Sequence, residues 1–345
     1  MLRLMVASLV LTSCGFAQTG ASALPNIVTQ SAGSPSADFS RARRLMDQGK
    51  VDEAVAELEQ IQASRPELKG VDHELGVAYY KKADYPKAIE YLKKATTETP
   101  EDSEAVQLLG LSYYLSGKPA EAIPFLEKVQ GWFPRANVDA SYILGVAYIQ
   151  TKDYPHARVA FARMFDVPPD SAASYLFTAR MLLRQEFDPI AEEYGKKAVE
   201  LDPKLPLAHF LLGELYLYKS RIPEAISEFQ KELAIDPGHA PTYYKLADAY
   251  SRVQKFDDAE RLLQRSIWLD ATSTGPYILM GKVLQKKGET LLAIRALQRA
   301  ESMDPNNSMT HHLLGQAYRD MGKTDDAERE LKLAQQLQTS KDEKE

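Results

Sequence analysis

Alanines recur along the chain at Ala54, Ala88, Ala122, Ala157, Ala191, Ala225, Ala259, Ala293 and Ala327, in steps of 34 residues with one step of 35. A fixed period of this length restricts the fold to an array of like units, because each unit must meet its neighbours in the same way. Twelve residues before each alanine stands a small residue: Ala42, Gly76, Gly110, Gly145, Ala179, Gly213, Ala247, Gly281 and Gly315. Nine before stand Leu45, Tyr79, Tyr113, Tyr148, Leu182, Tyr216, Tyr250, Leu284 and Tyr318. Four after stand Leu58, Leu92, Leu126, Phe161, Gly195, Phe229, Leu263, Leu297 and Leu331. Twelve after comes Pro66, Pro100, Pro134, Pro169, Pro203, Pro237 or Pro305, with Ala271 and Thr339 in the two remaining copies.

Each copy reads as a helical hairpin. In the second, Leu75, Ala78 and Tyr79 recur at helical spacing, as do Ala88, Ile89, Leu92 and Ala95, and a turn around Ala83-Asp84 separates the two amphipathic stretches. The small columns belong where helices approach closely. The proline ends the second helix, helped in three copies by a preceding aspartate (Asp202, Asp236, Asp304). One hairpin cannot fold alone: ordering each backbone costs roughly 1–2 kcal/mol, and five or six buried large side chains return only about 1.5–3 kcal/mol each. Stacking must supply much of the difference. The expected fold is all-α, a right-handed α-solenoid of nine hairpins, about eighteen helices, over residues 37–338, followed by a polar tail at 339–345. Three copies depart from the pattern and are expected to pack less well: repeat five at Thr178 and Gly195, repeat six at Glu232 in a small-residue column, and repeat one at Arg41.

The columns resemble the tetratricopeptide repeat (TPR) family, carried by Leu75-Gly76 with Tyr79, Ala88, Leu92, Ala95 and Pro100, and by Leu314-Gly315 with Tyr318, Ala327, Leu331 and Ala334. The resemblance covers nearly all the chain beyond its N-terminal segment and implies a scaffold that binds partner proteins. It implies too that the first helix of each hairpin lines a concave groove, faced by the residues one, four and five after the small column. On that basis the candidate partner-binding residues are Val77, Leu111, Tyr114, Leu115, Tyr142, Val146, Ile149, Leu176, Arg180, Leu183, Phe210, Glu214, Leu217, Tyr218, Lys245, Asp248 and Arg252. The groove is apolar early and charged late, so repeats three to six are expected to hold an extended or helical segment, with the charges setting its orientation. Packing between first helices is the competing reading of many of these residues. The family's chaperone-tail clamp uses Lys and Asn, where this chain has His73 with Val77 and Gln107 with Leu111, so a chaperone adaptor is not expected. The Tyr, Ala and Pro columns and the acidic charge disfavour the related RNA-binding pentatricopeptide array.

The first 17 residues follow the order of a secretory signal: Arg3, the uncharged run LMVASLVL, then TSCGFA. The run is too short to span a bilayer. Leu11-Thr12-Ser13-Cys14 resembles a bacterial lipobox, which would end the signal at residue 13 and leave Cys14 acylated as the lipid attachment point. Gly15-Phe16-Ala17 suits an ordinary signal peptidase, which would discard Cys14. Both readings stand. Residues 18–36 carry no charge and are rich in Ser, Ala, Gly and Pro, which marks a flexible linker. The expected location is periplasmic, or membrane-anchored facing the periplasm, with a role in envelope assembly.

A formal charge of -6 offers no field for a nucleic acid backbone. A single cysteine excludes an internal disulfide and Cys-pair zinc sites. The glycines fall in packing columns and not in a phosphate loop, His73-Glu74 lacks a second histidine four residues on, and His311-His312 point about 100° apart on a helix. No cofactor, metal or catalytic residue is therefore expected, and no enzyme. Trp132 and Trp268, near the ends of second helices, are expected to pack on the next hairpin. The partners expected are other proteins or peptide segments, with a self-associating array and a site built across repeats as the competing hypotheses.

Overall fold

The computed structural model describes residues 39–132, 138–185 and 188–342; the signal, Cys14, the linker and Pro134 lie outside the described residues. Among the described residues there are eighteen helices and no strand. In chain order the hairpins are α1 (Ser40–Asp47) with α2 (Val51–Ser64), α3 (Val71–Lys81) with α4 (Tyr85–Glu98), and α5 (Ser103–Leu115) with α6 (Pro119–Trp132). Next come α7 (Val138–Gln150) with α8 (Tyr154–Met164), α9 (Ala172–Arg184) with α10 (Asp188–Leu201), and α11 (Ala208–Tyr218) with α12 (Ile222–Ile235). The last three are α13 (Ala240–Arg252) with α14 (Phe256–Leu269), α15 (Thr274–Lys286) with α16 (Thr290–Met303), and α17 (Ser308–Asp320) with α18 (Thr324–Asp342). One compact unit ends at Ala147 and a second begins at Tyr148. Each is a stack of these hairpins, an α-solenoid of the expected kind.

Within a hairpin the large residue four after the alanine presses on the small residue of the partner helix. A Cβ added to Gly281 would lie 2.4 Å from Leu297, one added to Gly213 2.5 Å from Phe229, and one added to Gly76 2.6 Å from Leu92. Glycine is required there by space. The turn between the helices is equally regular: a left-handed residue stands at Gly49, Ala83, Gly117, Lys152, Ser220, Gln254, Gly288 and Gly322. The residue after it donates its N–H to the carbonyl five back, which belongs to the Tyr/Leu column, as in Asp84 to Tyr79 (3.0 Å) and Lys255 to Tyr250 (2.9 Å). This is the Schellman closure of a helix C-terminus. Asp84 and Asp153 then cap the second helices, accepting from Lys87 and His156 N–H.

The proline column ends helices as expected, since α4, α10, α12 and α16 each stop two residues before it. The aspartate before the proline adds a reason, because Asp202, Asp236 and Asp304 each accept the N–H two residues on (2.9, 2.9 and 3.2 Å). Where Thr339 replaces the proline, α18 runs on to Asp342, into the segment expected as a polar tail, with Thr339 and Ser340 hydroxyls bonded back to Gln335 and Gln336 carbonyls.

Repeats five and six depart from the pattern yet are compensated, contrary to expectation, whereas repeat one packs more sparsely, as expected. The room left by Gly195 is taken by Leu212 and Leu211 of the next first helix, at 2.9 and 3.0 Å from where a Cβ would stand. Thr178 is fully buried and its hydroxyl donates to Ser174 carbonyl at 2.8 Å. Glu232, also fully buried, accepts from Leu207 N–H (2.8 Å) and Phe210 N–H (3.1 Å) and so caps α11, whose start carries left-handed Leu207 and no side-chain cap of its own. Burial raises the Glu232 pKa against the pull of these two bonds. Arg41 sits in solvent and pairs with Glu57 at 3.2 Å.

Two substitutions separate the packing rule from the turn rule. Gly281→Ala should lower stability by about 1–3 kcal/mol through overpacking against Leu297. Gln254→Gly should raise it by up to about 1 kcal/mol by relieving a left-handed side-chain-bearing residue. Urea denaturation of both variants checks the opposite signs.

Candidate functional site

Within each unit successive first helices lie side by side. In the second unit α11 lies beside α13, α13 beside α15 and α15 beside α17, and in the first unit α3 lies beside α5. Side chains tie the row together: Lys245 pairs with Glu214 at 3.0 Å, Arg252 donates to Leu217 carbonyl at 3.4 Å, and Gln285 donates to Leu313 carbonyl at 3.4 Å.

The predicted groove residues divide by burial. Val77, Leu111, Val146, Ile149, Leu176, Phe210 and Leu217 are buried. Phe210 and Leu217 belong to a core cluster with Leu212, Tyr216, Phe229 and Leu246. The expectation that these seven form an open apolar wall is corrected, because a side chain such as Leu111, 2% exposed, offers a partner almost no surface. A polar residue at Leu111 or Val146 would also bury an unsatisfied group, so it would weaken the fold itself. Tyr114, Tyr142, Arg180, Leu183, Glu214, Lys245 and Asp248 are partly exposed. Leu115 (44%) and Arg252 are exposed, and Tyr218 stands 78% exposed at the end of α11. Trp268 was expected to pack on the next hairpin; it is 72% exposed, with the Arg265 guanidinium 4.3 Å over its ring. Trp132 is partly exposed, with Lys128 at 4.6 Å.

His73 illustrates how the row is braced. Its Nδ1 lies 2.6 Å from Asp102 and its Nε2 3.6 Å from Glu104, so an imidazole on α3 is held between carboxylates of the next repeat. Burial alone would disfavour the charged ring. The bonds to Asp102 and Glu104 and their charges outweigh it and raise the pKa to about 10. Asp102 is lowered in return, its own burial overcome by the bond from His73. An imidazolium committed in this way is no clamp for a partner's carboxylate.

Two further histidines brace single hairpins. His311 Nδ1 bonds Glu330 (2.7 Å) and Nε2 bonds Pro305 carbonyl (2.8 Å); His209 does the same with Glu228 (2.5 Å) and Pro203 carbonyl (3.2 Å). Burial would disfavour a charged ring at His311, but the bonds to Glu330 and to the Pro305 carbonyl outweigh it and raise its pKa. Glu301 joins His311 and Glu330 in a group whose ligand atoms lie within 4.8 Å. The matching place beside His209 is Val199, so the brace forms without a third carboxylate and both ring nitrogens of His311 are already engaged. His239 is different. Its Nδ1 bonds the Thr242 hydroxyl at 2.6 Å, its ring meets Phe210 edge-on at 5.0 Å, and its Nε2 is buried with no hydrogen-bond partner.

Tetratricopeptide repeat models match residues 45–111, 190–240, 217–267, 275–307 and 310–340, together well over half of the chain. A model described as anaphase-promoting complex, cyclosome, subunit 3 matches residues 81–164. The chain belongs to the tetratricopeptide repeat family, a family of protein-interaction scaffolds. No curated protein is significantly similar to it in sequence. Among solved structures it is similar to MamA (25% identity over 48% of this chain and 96% of that one, TM-score 0.44). It is similar also to YrrB, a TPR protein with an unusual peptide-binding site (23%, 49% and 88%, TM-score 0.43), and to PilF of Pseudomonas aeruginosa (18%, 56% and 88%, TM-score 0.47).

The His73 brace makes stability depend on pH. Because the folded pKa lies above the unfolded value of about 6.5, the contribution is full below that value and is lost as pH rises towards about 10. His73→Gln should therefore cost roughly 2 kcal/mol at pH 6, and urea midpoints of the two proteins should converge between pH 7 and pH 10.

Proposed function

We propose that this chain is a non-catalytic scaffold that acts outside the cytoplasm, where it holds segments of partner proteins against its row of first helices in envelope assembly. The observation that carries the reading is the set of side chains left at the surface of that row. Tyr218 stands in the column five after the small residue, in a family whose first helices face the groove, and nearly four-fifths of it is open. Beside it Glu214, one turn earlier on α11, and Arg252, whose guanidinium reaches the Leu217 carbonyl, supply charged contacts at partly or fully exposed positions. An aromatic side chain with charged neighbours is the usual composition of a contact that contributes most of a binding energy. The buried members of the row set the spacing of these residues and do not themselves meet the partner.

Export is supported by the sequence of the first 17 residues, and the uncharged linker to residue 36 would give the array reach from a membrane if Cys14 carries lipid. A photoreactive amino acid placed at Tyr218 should capture partner proteins in intact cell envelopes, whereas the same probe at Trp268, on a second helix, should capture few. Equal capture at both positions would remove the first-helix site. Mass spectrometry of the mature N-terminus should find a diacylglycerol adduct on Cys14; a start at Gln18 would exclude the anchor and leave a soluble exported protein.

A further inference from the structure

The charges on the first helices of the second unit do not follow the charge of the chain. In the columns one, four and five after the small residue, repeats five to nine carry Arg180, Arg184, Arg252, Lys282, Lys286 and Arg319 against Glu214, Asp248 and Asp320. The whole chain has formal charge -6. Two of the three carboxylates are already neutralised within the row, Glu214 by Lys245 at 3.0 Å and Asp248 by Arg252 at 2.9 Å. Arg180, Arg184, Lys282 and Lys286 have no carboxylate within 4 Å among the described residues. Some cations on the second helices and turns are paired, as Lys219 and Arg221 are with Glu192 and Lys287 with Glu260, and others there, such as Arg295 and Arg299, are not among the described residues; what distinguishes the four is that they share the first-helix columns.

Arg180 is the most informative of the four. It is half-buried on α9, and desolvation lowers its pKa although the charge of Glu214 works the other way. Its guanidinium is partly desolvated and still reachable from solvent, so an incoming carboxylate would meet a cation already stripped of some of its water. His239 is within electrostatic range of both Arg180 and Glu214, and its Nε2 has no partner. Tyr218, on the first helix α11 that lies between α9 and α15 in chain order, offers an exposed ring.

We infer that the second unit takes an acidic, extended protein segment, whose Asp or Glu side chains meet Arg180, Arg184, Lys282 and Lys286 and whose apolar side chain meets Tyr218. This deepens the proposed function and rests on it. Two physical expectations follow from the charge complementarity: association weakens with salt, and removing exposed cations weakens binding without touching the core.

The test uses the full chain and three fluorescein-labelled peptides of twelve residues that share apolar positions and carry Glu, Gln or Lys at the rest, each with a benzophenone, and a twelve-residue oligothymidine. By fluorescence anisotropy the Glu peptide should bind at least about tenfold more tightly than the Gln peptide and lose about tenfold between 50 and 300 mM salt. The Lys peptide and the oligothymidine should not bind. Arg184→Gln with Lys286→Gln, both exposed, should weaken the Glu peptide about tenfold with an unchanged urea midpoint, and Arg180→Gln should add to the loss. Equal binding of Glu and Gln peptides, tighter binding of the Lys peptide or the oligothymidine, or no effect of the double variant would overturn the inference. Crosslinking separates this from the parent reading: if the Gln peptide still attaches near Tyr218, the groove takes a protein segment and only its acidity is wrong. If no peptide attaches to first-helix residues, the groove reading falls with it.

Discussion

The leucine or phenylalanine four residues after the alanine, present in every copy but the fifth, rests on a point of the partner helix that has room for a hydrogen or a methyl and nothing larger. That contact sets the distance between the two helices of a hairpin, and with it the spacing at which the next hairpin can dock. At Gly213 and Gly281 an added Cβ would fall within 2.5 Å of a ring or branched carbon, so the distance is enforced by volume and not by attraction alone. The turn reinforces it: the left-handed residue and the bond back to the Tyr/Leu column end the first helix at the same point in each described copy. Repetition does the rest. A hairpin whose own burial falls short of its ordering cost becomes stable only when its flanks are covered by others of the same shape.

Polar groups in the interior follow the same logic of local compensation. Glu232 occupies a place built for a small residue, yet its two oxygens cap a helix that starts without a cap, so a costly buried carboxylate is matched to two otherwise orphaned donors. His209 and His311 join the two helices of their hairpins through carboxylate and carbonyl, and His73 joins two successive repeats. Each of these rings is spent on the fold. Arg180 and Arg184 on α9 and Lys282 and Lys286 on α15 make no such ion pair among the described residues.

Much of the architecture was legible in the linear chain. The columns placed both helices of each hairpin, the turn at Ala83-Asp84 and the proline stops, because a helix that must repeat its contacts repeats the residues that make them. The groove was legible only as a set of columns. Val77 and Leu111 share a column with Arg180 and Lys282, and spacing cannot say which members are covered, since that depends on how closely neighbouring first helices approach. Trp268 lay in a place where packing was the natural expectation, and only its surroundings reveal an exposed ring under a guanidinium. The fill at Gly195 was hidden for a similar reason: Leu211 and Leu212, which occupy the space, lie sixteen and seventeen residues further along the chain.

What the amino-acid order determined by itself was therefore the unit and its period, since helix propensity, turn chemistry and small-against-large packing act over the few residues of one hairpin. What the three-dimensional arrangement alone decided was which charges are used up and which apolar side chains are enclosed. Those outcomes depend on distances between residues of different repeats, such as Glu214 to Lys245 and His73 to Asp102, and a distance across a stack is a property of how the helices lie together.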